Sequence, residues 1–154
     1  PKKLTVKQNL YVYSKLYKVQ NIKERIEYLS EKLRIGELLD SITGELSSGQ
    51  KNRVSLAKAL INEPKVLLLD EPTASLDAAT EQRVMANLSE WGRDRAIFLI
   101  THRISTIRRA DNILYLDEGR IIESGNHQEL MQREGGRYRA FVEAETNLSR
   151  IGAA

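Results

Sequence analysis

Apolar residues recur at helical intervals along the first third of the chain. Thr5 and Gln8 have the spacing of a capping box, and apolar residues follow at positions 10, 13 and 17. The same spacing returns before a second apolar face, with Asn21 as the expected cap and Glu24 three residues later. The pattern predicts two successive helices, and Gly36 is the expected stop of the second one.

The pattern changes around Pro64. A third helix is expected to begin near Ser47 and Ser48 and to end before this proline. The apolar segments 66–69 and 96–101 predict two strands, each buried on both faces. Further predicted elements are helices over 79–91 and 104–109, strands over 112–116 and 121–123 joined by a turn, and a helical tail over 127–148. Because strands alternate with helices, we expect an α/β fold with a largely parallel sheet.

The composition is that of one globular domain. The chain has 154 residues, of which 41% are hydrophobic and 29% charged, with a formal net charge of +3. The lack of cysteine excludes a disulfide scaffold, a thiolate metal site and a cysteine nucleophile. Basic and acidic residues are interspersed without the basic stripe of a nucleic-acid-binding protein, so no nucleic-acid partner is expected. No apolar run approaches the ~20 residues that a membrane-spanning helix needs.

Two adjacent carboxylates end the first predicted strand. Asp70 and Glu71 would lie at the carboxyl edge of a parallel sheet, where α/β proteins bind ligands. One carboxylate can hold Mg²⁺ through water, and the next can orient or deprotonate an attacking water, as phosphoryl transfer requires. An acidic turn without any catalytic role is an equally good interpretation of these two residues taken alone.

A run of small residues precedes the third predicted helix. Residues 44–50 would let backbone N–H groups approach an anion at the positive end of the helix dipole, although an ordinary serine N-cap explains the same residues. Gly44 and Gly49 have the spacing of a P-loop, but Gln50 stands where that motif has lysine, and Lys51 comes one residue late. No strand is predicted before Gly44, so we do not expect this segment to be a P-loop.

Two short polar segments complete the set of candidate residues. Ser75, Leu76 and Asp77 closely follow the two carboxylates, and His102 comes directly after the second predicted strand. A histidine at this place can donate a hydrogen bond to a phosphate oxygen or to an attacking water. A surface or capping role is the alternative for a lone histidine at a strand end.

Taken in order, these segments resemble the nucleotide-binding domain of ABC transporters. Its signature loop, Walker B strand, D-loop and H-loop are matched by residues 46–50, 70–73, 75–77 and 101–103. The resemblance implies a partial P-loop NTPase fold, in which a helical subdomain is followed by a parallel-sheet core that lacks the P-loop strand. It further implies two ATP molecules held between two such domains in a head-to-tail dimer. A transmembrane permease would be the other partner, which would place the chain peripherally at the cytoplasmic face of the cell membrane.

The resemblance assigns five residues to ATP held by the opposite subunit. Ser47 and Gly49 would contact its γ-phosphate, and Gln50 would support that loop. Ser48 replaces the glycine that is commonest at its position, which implies a mild change in how closely the backbone approaches the phosphate. Asp77 would connect the two ATP sites across the dimer.

Three further residues would act on the chain's own ATP. The resemblance implies that Asp70 acts on Mg²⁺, that Glu71 is the general base, and that His102 senses the γ-phosphate. It also divides the chain into a helical subdomain with the signature loop (1–62), an α/β core (63–126) and a C-terminal helical tail (127–154).

The chain lacks one motif of the family, the P-loop. Residues 1–154 contain no Gly-x-x-x-x-Gly-Lys-[Ser/Thr] motif, so the chain looks like the C-terminal part of a domain. Alone it would then be an inactive ATPase, and the alternative is a non-hydrolysing fragment or chimera that serves only as a binding or structural module.

The chain also mixes two branches of the family. The first half resembles ATPases of ABC-2-type exporters, and the part from His102 onward resembles fused exporters. A missing strand would leave open sheet edges, so we expect a marginal fold that associates.

Four tyrosines of the helical region have two interpretations. The family's helical subdomain meets the coupling helices of the membrane subunits, and in that interpretation Tyr11, Tyr13, Tyr17 and Tyr28 contact a partner. Packing of the helices on one another is the favoured alternative.

Overall fold

The computed structural model describes the backbone of residues 3–151 and the side chains of residues 3–147. The first residues of the predicted helical subdomain (1–62) and the last residues of the predicted tail (127–154) lie outside the described part. Its helices are α1 (Val6–Leu16), α2 (Ile22–Lys32), α3 (Ser48–Leu60), α4 (Ala78–Trp91), α5 (Ile104–Ile107), α6 (His127–Gln132) and α7 (Arg137–Ile151). Its strands are β1 (Val66–Asp70), β2 (Ala96–Ile100), β3 (Ile113–Asp117) and β4 (Arg120–Gly125). The chain divides into two compact units, which meet in sequence between Ile100 and Thr101.

The start of α1 confirms one predicted cap, and the start of α2 contradicts another. The Thr5 hydroxyl accepts from the Gln8 N–H at 3.2 Å, and the Gln8 side chain accepts from the Thr5 N–H at 3.0 Å. Asn21 precedes α2 but makes no side-chain cap bond. Its backbone is left-handed, with φ 48°, whereas a residue that caps through its side chain takes an extended conformation.

The end of α2 is set by an arginine and not by the expected glycine. Arg34 takes a left-handed conformation with φ 50°, and the Ile35 N–H donates to the Ser30 carbonyl at 3.0 Å. This 6→1 bond belongs to the Schellman motif, which closes the helix after Lys32. Gly36 instead begins a short 3₁₀ helix, Gly36–Leu38, so its expected role as the stop was wrong.

Helices α2 and α3 run antiparallel and are joined at both ends by arginines. From the first turn of α2, Arg25 donates to the Leu60 carbonyl at the end of α3 at 2.6 Å and pairs with Glu63 at 3.0 Å. From α3, Arg53 donates to the Leu33 carbonyl at the end of α2 at 3.5 Å. Burial lowers the pKa of Arg25, and the nearby Glu63 carboxylate opposes this effect. Each arginine thereby satisfies carbonyls that the end of a helix leaves without partners.

The first unit contains a two-stranded parallel sheet, β1–β2, in which Leu67 pairs with Ile97 and Asp70 with Ile100. The other two strands form an antiparallel hairpin in the second unit. The described residues therefore form one parallel and one antiparallel two-stranded sheet, whereas the alternation predicted a largely parallel sheet. The turn between β3 and β4 explains the difference, because Glu118 and Gly119 both have positive φ, as in a type I′ hairpin.

Only one face of the β1–β2 sheet is covered by the first unit. Leu67 and Leu69 are buried in its core, whereas Leu68 and Phe98, which pair in register, are 67% and 52% exposed. The prediction that both strands are buried on both faces was therefore wrong for the described residues. The helices of this unit pack on the alternate side chains alone.

The second unit has its own small core, built from β3, α6 and α7. Its buried apolar side chains are Ile113, Leu130, Tyr138 and Val142. Helix α6 begins with a capping box, in which Asn126 accepts from the Glu129 N–H at 3.0 Å. Within the described part of the chain, no helix is long and apolar enough to cross a membrane.

Candidate functional site

The N-terminus of α3 presents small polar residues to solvent. Ser47 is its N-cap, the serine hydroxyl accepts from the Gln50 N–H at 3.3 Å, and the Gln50 side chain accepts from the Ser47 N–H at 2.8 Å. This is the ordinary cap that the sequence allowed. Because the first N–H groups of a helix have no partner inside it, Ser48 and Gly49 point donors outward at the positive end of the dipole. Such an end favours an anion.

The start of α3 packs against the segment that leads from β1 to α4. A Cβ atom on Gly49 would lie 2.7 Å from the Ser75 carbonyl oxygen and 3.3 Å from a methyl group of Leu76. The Asn52 side chain, one turn further along α3, donates to the Ala74 carbonyl at 2.6 Å. Glycine is therefore required at position 49 by a close backbone approach within the chain itself. The role of Asn52 could not be predicted from the sequence, because it depends on which residue the folded chain places opposite this side chain.

The segment 71–77, which we call the carboxylate turn, has a tightly bent backbone. Glu71 and Ser75 have positive φ values of 43° and 65°, which are unusual for residues other than glycine. The Ala74 N–H donates to the Glu71 carbonyl at 3.0 Å, and the Glu71 N–H donates to the Ile100 carbonyl at 2.8 Å. The second bond extends the ladder of the sheet by one step, so Glu71 is held where the strand ends.

Asp70 and Glu71 lie at the carboxyl end of β1, as predicted, with Asp70 exposed and Glu71 half-buried. The described residues contain no group of three or more acidic or histidine side chains that could hold a metal ion. Mg²⁺ is commonly bound by one or two carboxylates together with substrate phosphates and water. An exposed Asp70 fits that donor set as a single carboxylate, with phosphate oxygens and water as the other ligands.

Asp77 is the N-cap of α4. One carboxylate oxygen accepts from the Thr80 N–H at 2.9 Å and the other from the Thr80 hydroxyl at 2.6 Å. Both bonds lower the pKa of Asp77, and the bond from the Thr80 hydroxyl has the larger effect. The Asp77 carboxylate is therefore charged at neutral pH. The charge also stabilises the N-terminus of α4.

His102 belongs to the second unit. It is exposed and lies between β2 and α5, next to Arg103, whose N–H donates to the Thr101 hydroxyl at 3.1 Å. The structure thus brings residues 47–50 and the carboxylate turn together in the first unit, while His102 is placed with the other unit.

The chain is similar to a known protein family and to two named proteins. Residues 1–74 match the family described as "ABC transporter". The chain is 50% identical over 101 residues to "P-glycoprotein 14" of Caenorhabditis elegans, a match that covers 66% of this chain and 8% of that protein. It is 39% identical over 125 residues to "Leukotoxin export ATP-binding protein LtxB" of Aggregatibacter actinomycetemcomitans, covering 79% and 17%. The chain belongs to the ABC-transporter family.

A solved ABC exporter has the same fold. The structure of a bacterial Atm1-family ABC exporter with ATP bound superposes with a TM-score of 0.81 and 30% identity, over 92% of this chain and 26% of that one. The described elements are therefore part of an ABC-type P-loop NTPase fold, the α/β class that the sequence predicted. The chain spans less than a fifth of the two named relatives. ABC-transporter domains bind ATP. One of the two named relatives, LtxB, is an export protein by name.

Three of the four tyrosines are not packed between helices. Tyr11, Tyr17 and Tyr28 are 49%, 49% and 44% exposed, whereas Tyr13 packs against the core of the first unit. The favoured interpretation, helix packing, is confirmed for Tyr13, while the other three side chains are nearly half exposed. Helix periodicity placed these residues on helices but left open which of them faced the core.

Proposed function

We propose that this chain is the part of an exporter's ATPase that completes the ATP site of an opposing subunit. It also carries the hydrolytic carboxylate of its own ATP site. The packing of Gly49 on the carboxylate turn supports this most directly, because it puts an anion-binding helix end and two site carboxylates into one body. Membership of the ABC family supplies ATP as the anion.

The γ-phosphate of the opposing subunit's ATP would bind at the start of α3. The N–H groups of Ser48 and Gly49 would donate to its oxygens, and the Ser47 hydroxyl would turn from its cap bond toward them. Gln50 would hold the Ser47 backbone in place through the capping box. Asp77, which is charged and exposed, would interact across the dimer.

Hydrolysis would use the chain's own carboxylates. Glu71 would accept a proton from a water that attacks the γ-phosphorus, as the bond to the leaving ADP oxygen breaks. His102 would donate a hydrogen bond to a γ-phosphate oxygen. Asp70 would hold Mg²⁺ through water, and the bound ion would neutralise charge on the phosphates.

The partners of this function would be a second ATPase domain, related by head-to-tail packing, and a transmembrane permease. The chain would lie at the cytoplasmic face of the membrane, with Tyr11, Tyr17 and Tyr28 available for contact with a partner. Three working parts are proposed: a helical subdomain (1–62), an α/β core (63–126) and a tail (127–154). The mixture of two exporter branches stays a prediction.

Glu71→Gln tests the assignment of the general base. In the full transporter we expect ATP turnover to fall about 10²-fold or more while ATP still binds, because the amide keeps the size but cannot accept the proton. Glu90→Gln is the matched control, because Glu90 is an exposed carboxylate that pairs with Lys32 on the surface. Wild-type turnover in Glu71→Gln would contradict the proposal.

Calorimetric titrations of the chain itself and of the full transporter with Mg-ATP together separate the proposal from the alternative of a binding or structural module. Because residues 1–154 lack the P-loop motif, we expect no saturable binding by the chain alone. Saturable binding would instead place a phosphate site within 44–51, the segment with the P-loop spacing. A full transporter that binds no ATP would favour the structural module.

A further inference from the structure

One side chain of α3 ties the carboxylate turn to the helix that begins with the phosphate-binding residues. The Asn52 amide donates to the Ala74 carbonyl at 2.6 Å and is partly buried. Ala74 lies midway between Glu71 and Asp77, and Gly49, on the preceding turn of α3, packs against the neighbouring Ser75 carbonyl. Asn52 itself is not among the residues to which the proposed function gives contact with ATP.

The carboxylate turn needs such a support. It contains two non-glycine residues with positive φ, Glu71 and Ser75, and such conformations persist only when the surroundings hold them. The Thr73 hydroxyl is buried without a hydrogen-bond partner, which adds to the cost of the turn. Its own backbone supplies few bonds, among them that of the Leu76 N–H to the Thr73 carbonyl at 3.1 Å.

We infer that Asn52 is a positioning residue that fixes the carboxylate turn relative to the start of α3. This inference rests on the proposed function. A γ-phosphate bound at Ser47 and Gly49 pulls on the start of α3, and the Asn52 bond carries that displacement to the turn between Glu71 and Asp77. The chain's own hydrolytic carboxylate is thereby aligned by the ATP of the opposite site.

Amide hydrogen exchange of the chain tests the positioning without any ATP. Asn52→Asp keeps the size of the side chain but removes its donor, so we expect the Ala74 and Leu76 amides to exchange on the order of tenfold faster. The matched control is Asn87→Asp, because Asn87 makes the same kind of bond from α4 to the Lys32 carbonyl, at 2.5 Å. That variant leaves the two amides unchanged. Unchanged exchange in Asn52→Asp overturns the inference.

Loss of protection throughout the first unit in Asn52→Asp would reflect unfolding, and Asn52→Ala then decides. It removes the donor without adding a charge. Faster exchange confined to residues 71–77 supports the positioning role, and wild-type exchange of these amides contradicts it.

Turnover by the full transporter tests the consequence for hydrolysis. Asn52→Asp is expected to lower kcat for ATP about tenfold or more with KM for Mg-ATP nearly unchanged, because a displaced base slows chemistry and not binding. Asn52→Gln keeps the donor and recovers most of kcat. A raised KM with unchanged kcat contradicts the inference. A wild-type transporter without ATP hydrolysis contradicts the proposed function instead, and hydrogen exchange then decides the positioning role by itself.

Discussion

At the scale of single residues, the contact between His127 and Tyr138 joins the two helices at the C-terminal end. The histidine Nδ1 and the tyrosine hydroxyl are 2.7 Å apart, and Tyr138 is 1% exposed. Burial, assisted by the positive charge of Arg108, lowers the pKa of His127, and burial raises the pKa of Tyr138. The stable pair is therefore a neutral histidine that accepts from a protonated tyrosine.

This pair makes the second unit sensitive to acid. Because the pKa of His127 is lower in the folded chain than its usual ~6.5, the unfolded chain binds the proton more readily as the pH falls. Stability is thus complete above pH ~7 and is lost as the pH drops through ~6.5 and below. Denaturant titrations at several pH values measure this loss.

His127→Gln should flatten the acid-side decline in stability. His102→Gln is the control, because the chain has only these two histidines and His102 is exposed. The expected result is that His102→Gln keeps the decline of the wild type. A full decline in His127→Gln would show that other groups cause it.

At the scale of elements, arginines stabilise the C-terminal ends of α2 and α3 in the first unit. Arg25 and Arg53 each reach the last carbonyls of the neighbouring helix, and Arg34 supplies the left-handed residue after α2. Burial of the Arg25 side chain, which is 12% exposed, excludes water that would otherwise compete for those carbonyls. The ends of α2 and α3 are thus stabilised by tertiary contacts and not by glycine.

Arg25→Met is expected to lower the free energy of unfolding of the first unit by about 1–3 kcal/mol, since charge-assisted bonds to buried carbonyls are lost. Arg53→Met should act in the same direction. Urea unfolding followed by far-UV circular dichroism measures both changes.

The control for these variants is Arg139→Met. Arg139 pairs with Glu143 at 2.7 Å on the exposed surface of α7, and pairs of that kind contribute little. We expect no measurable change. Equal losses in Arg25→Met and Arg139→Met would mean that the contacts with the helix ends are unimportant.

Local sequence predicted the starts of α1 and α3, but it failed for the cap of α2 at Asn21 and for the residue that ends α2. The boxes at Thr5 and Ser47 involve residues three positions apart, so the sequence contains the whole interaction. The end of α2 is set by the left-handed Arg34, whose carbonyl accepts from Arg53, a residue distant in sequence. The candidate residues at the end of β1 and at the start of α3 were likewise predictable as motifs, but the packing of these two segments through Asn52 was not.

At the scale of the whole molecule, the sheet of the first unit leaves a broad apolar surface. Val66, Leu68, Phe98 and Ile100 are each more than half exposed on one face of β1–β2. The apolar run correctly predicted a strand, but not its burial, because burial depends on what covers the second face. Exposed apolar patches of this kind promote association.

Phe98→Lys should weaken self-association of the chain, because it places a charge in the centre of this apolar face. Sedimentation velocity over a range of concentrations is the measurement. Leu16→Lys is the control, since Leu16 is 70% exposed at the end of α1, outside the sheet. A wild-type chain that stays monomeric throughout the range would contradict the prediction.

The two arginines between α2 and α3 also have a mechanical consequence. They lie at opposite ends of an antiparallel pair, so sliding one helix along the other by a single turn, 5.4 Å, would break both sets of bonds at once. Because it resists sliding, the α2–α3 pair moves as one rigid body. A force applied where α1 joins α2 would then reach the start of α3, the segment proposed to bind phosphate, as a rotation of the whole pair with little internal deformation.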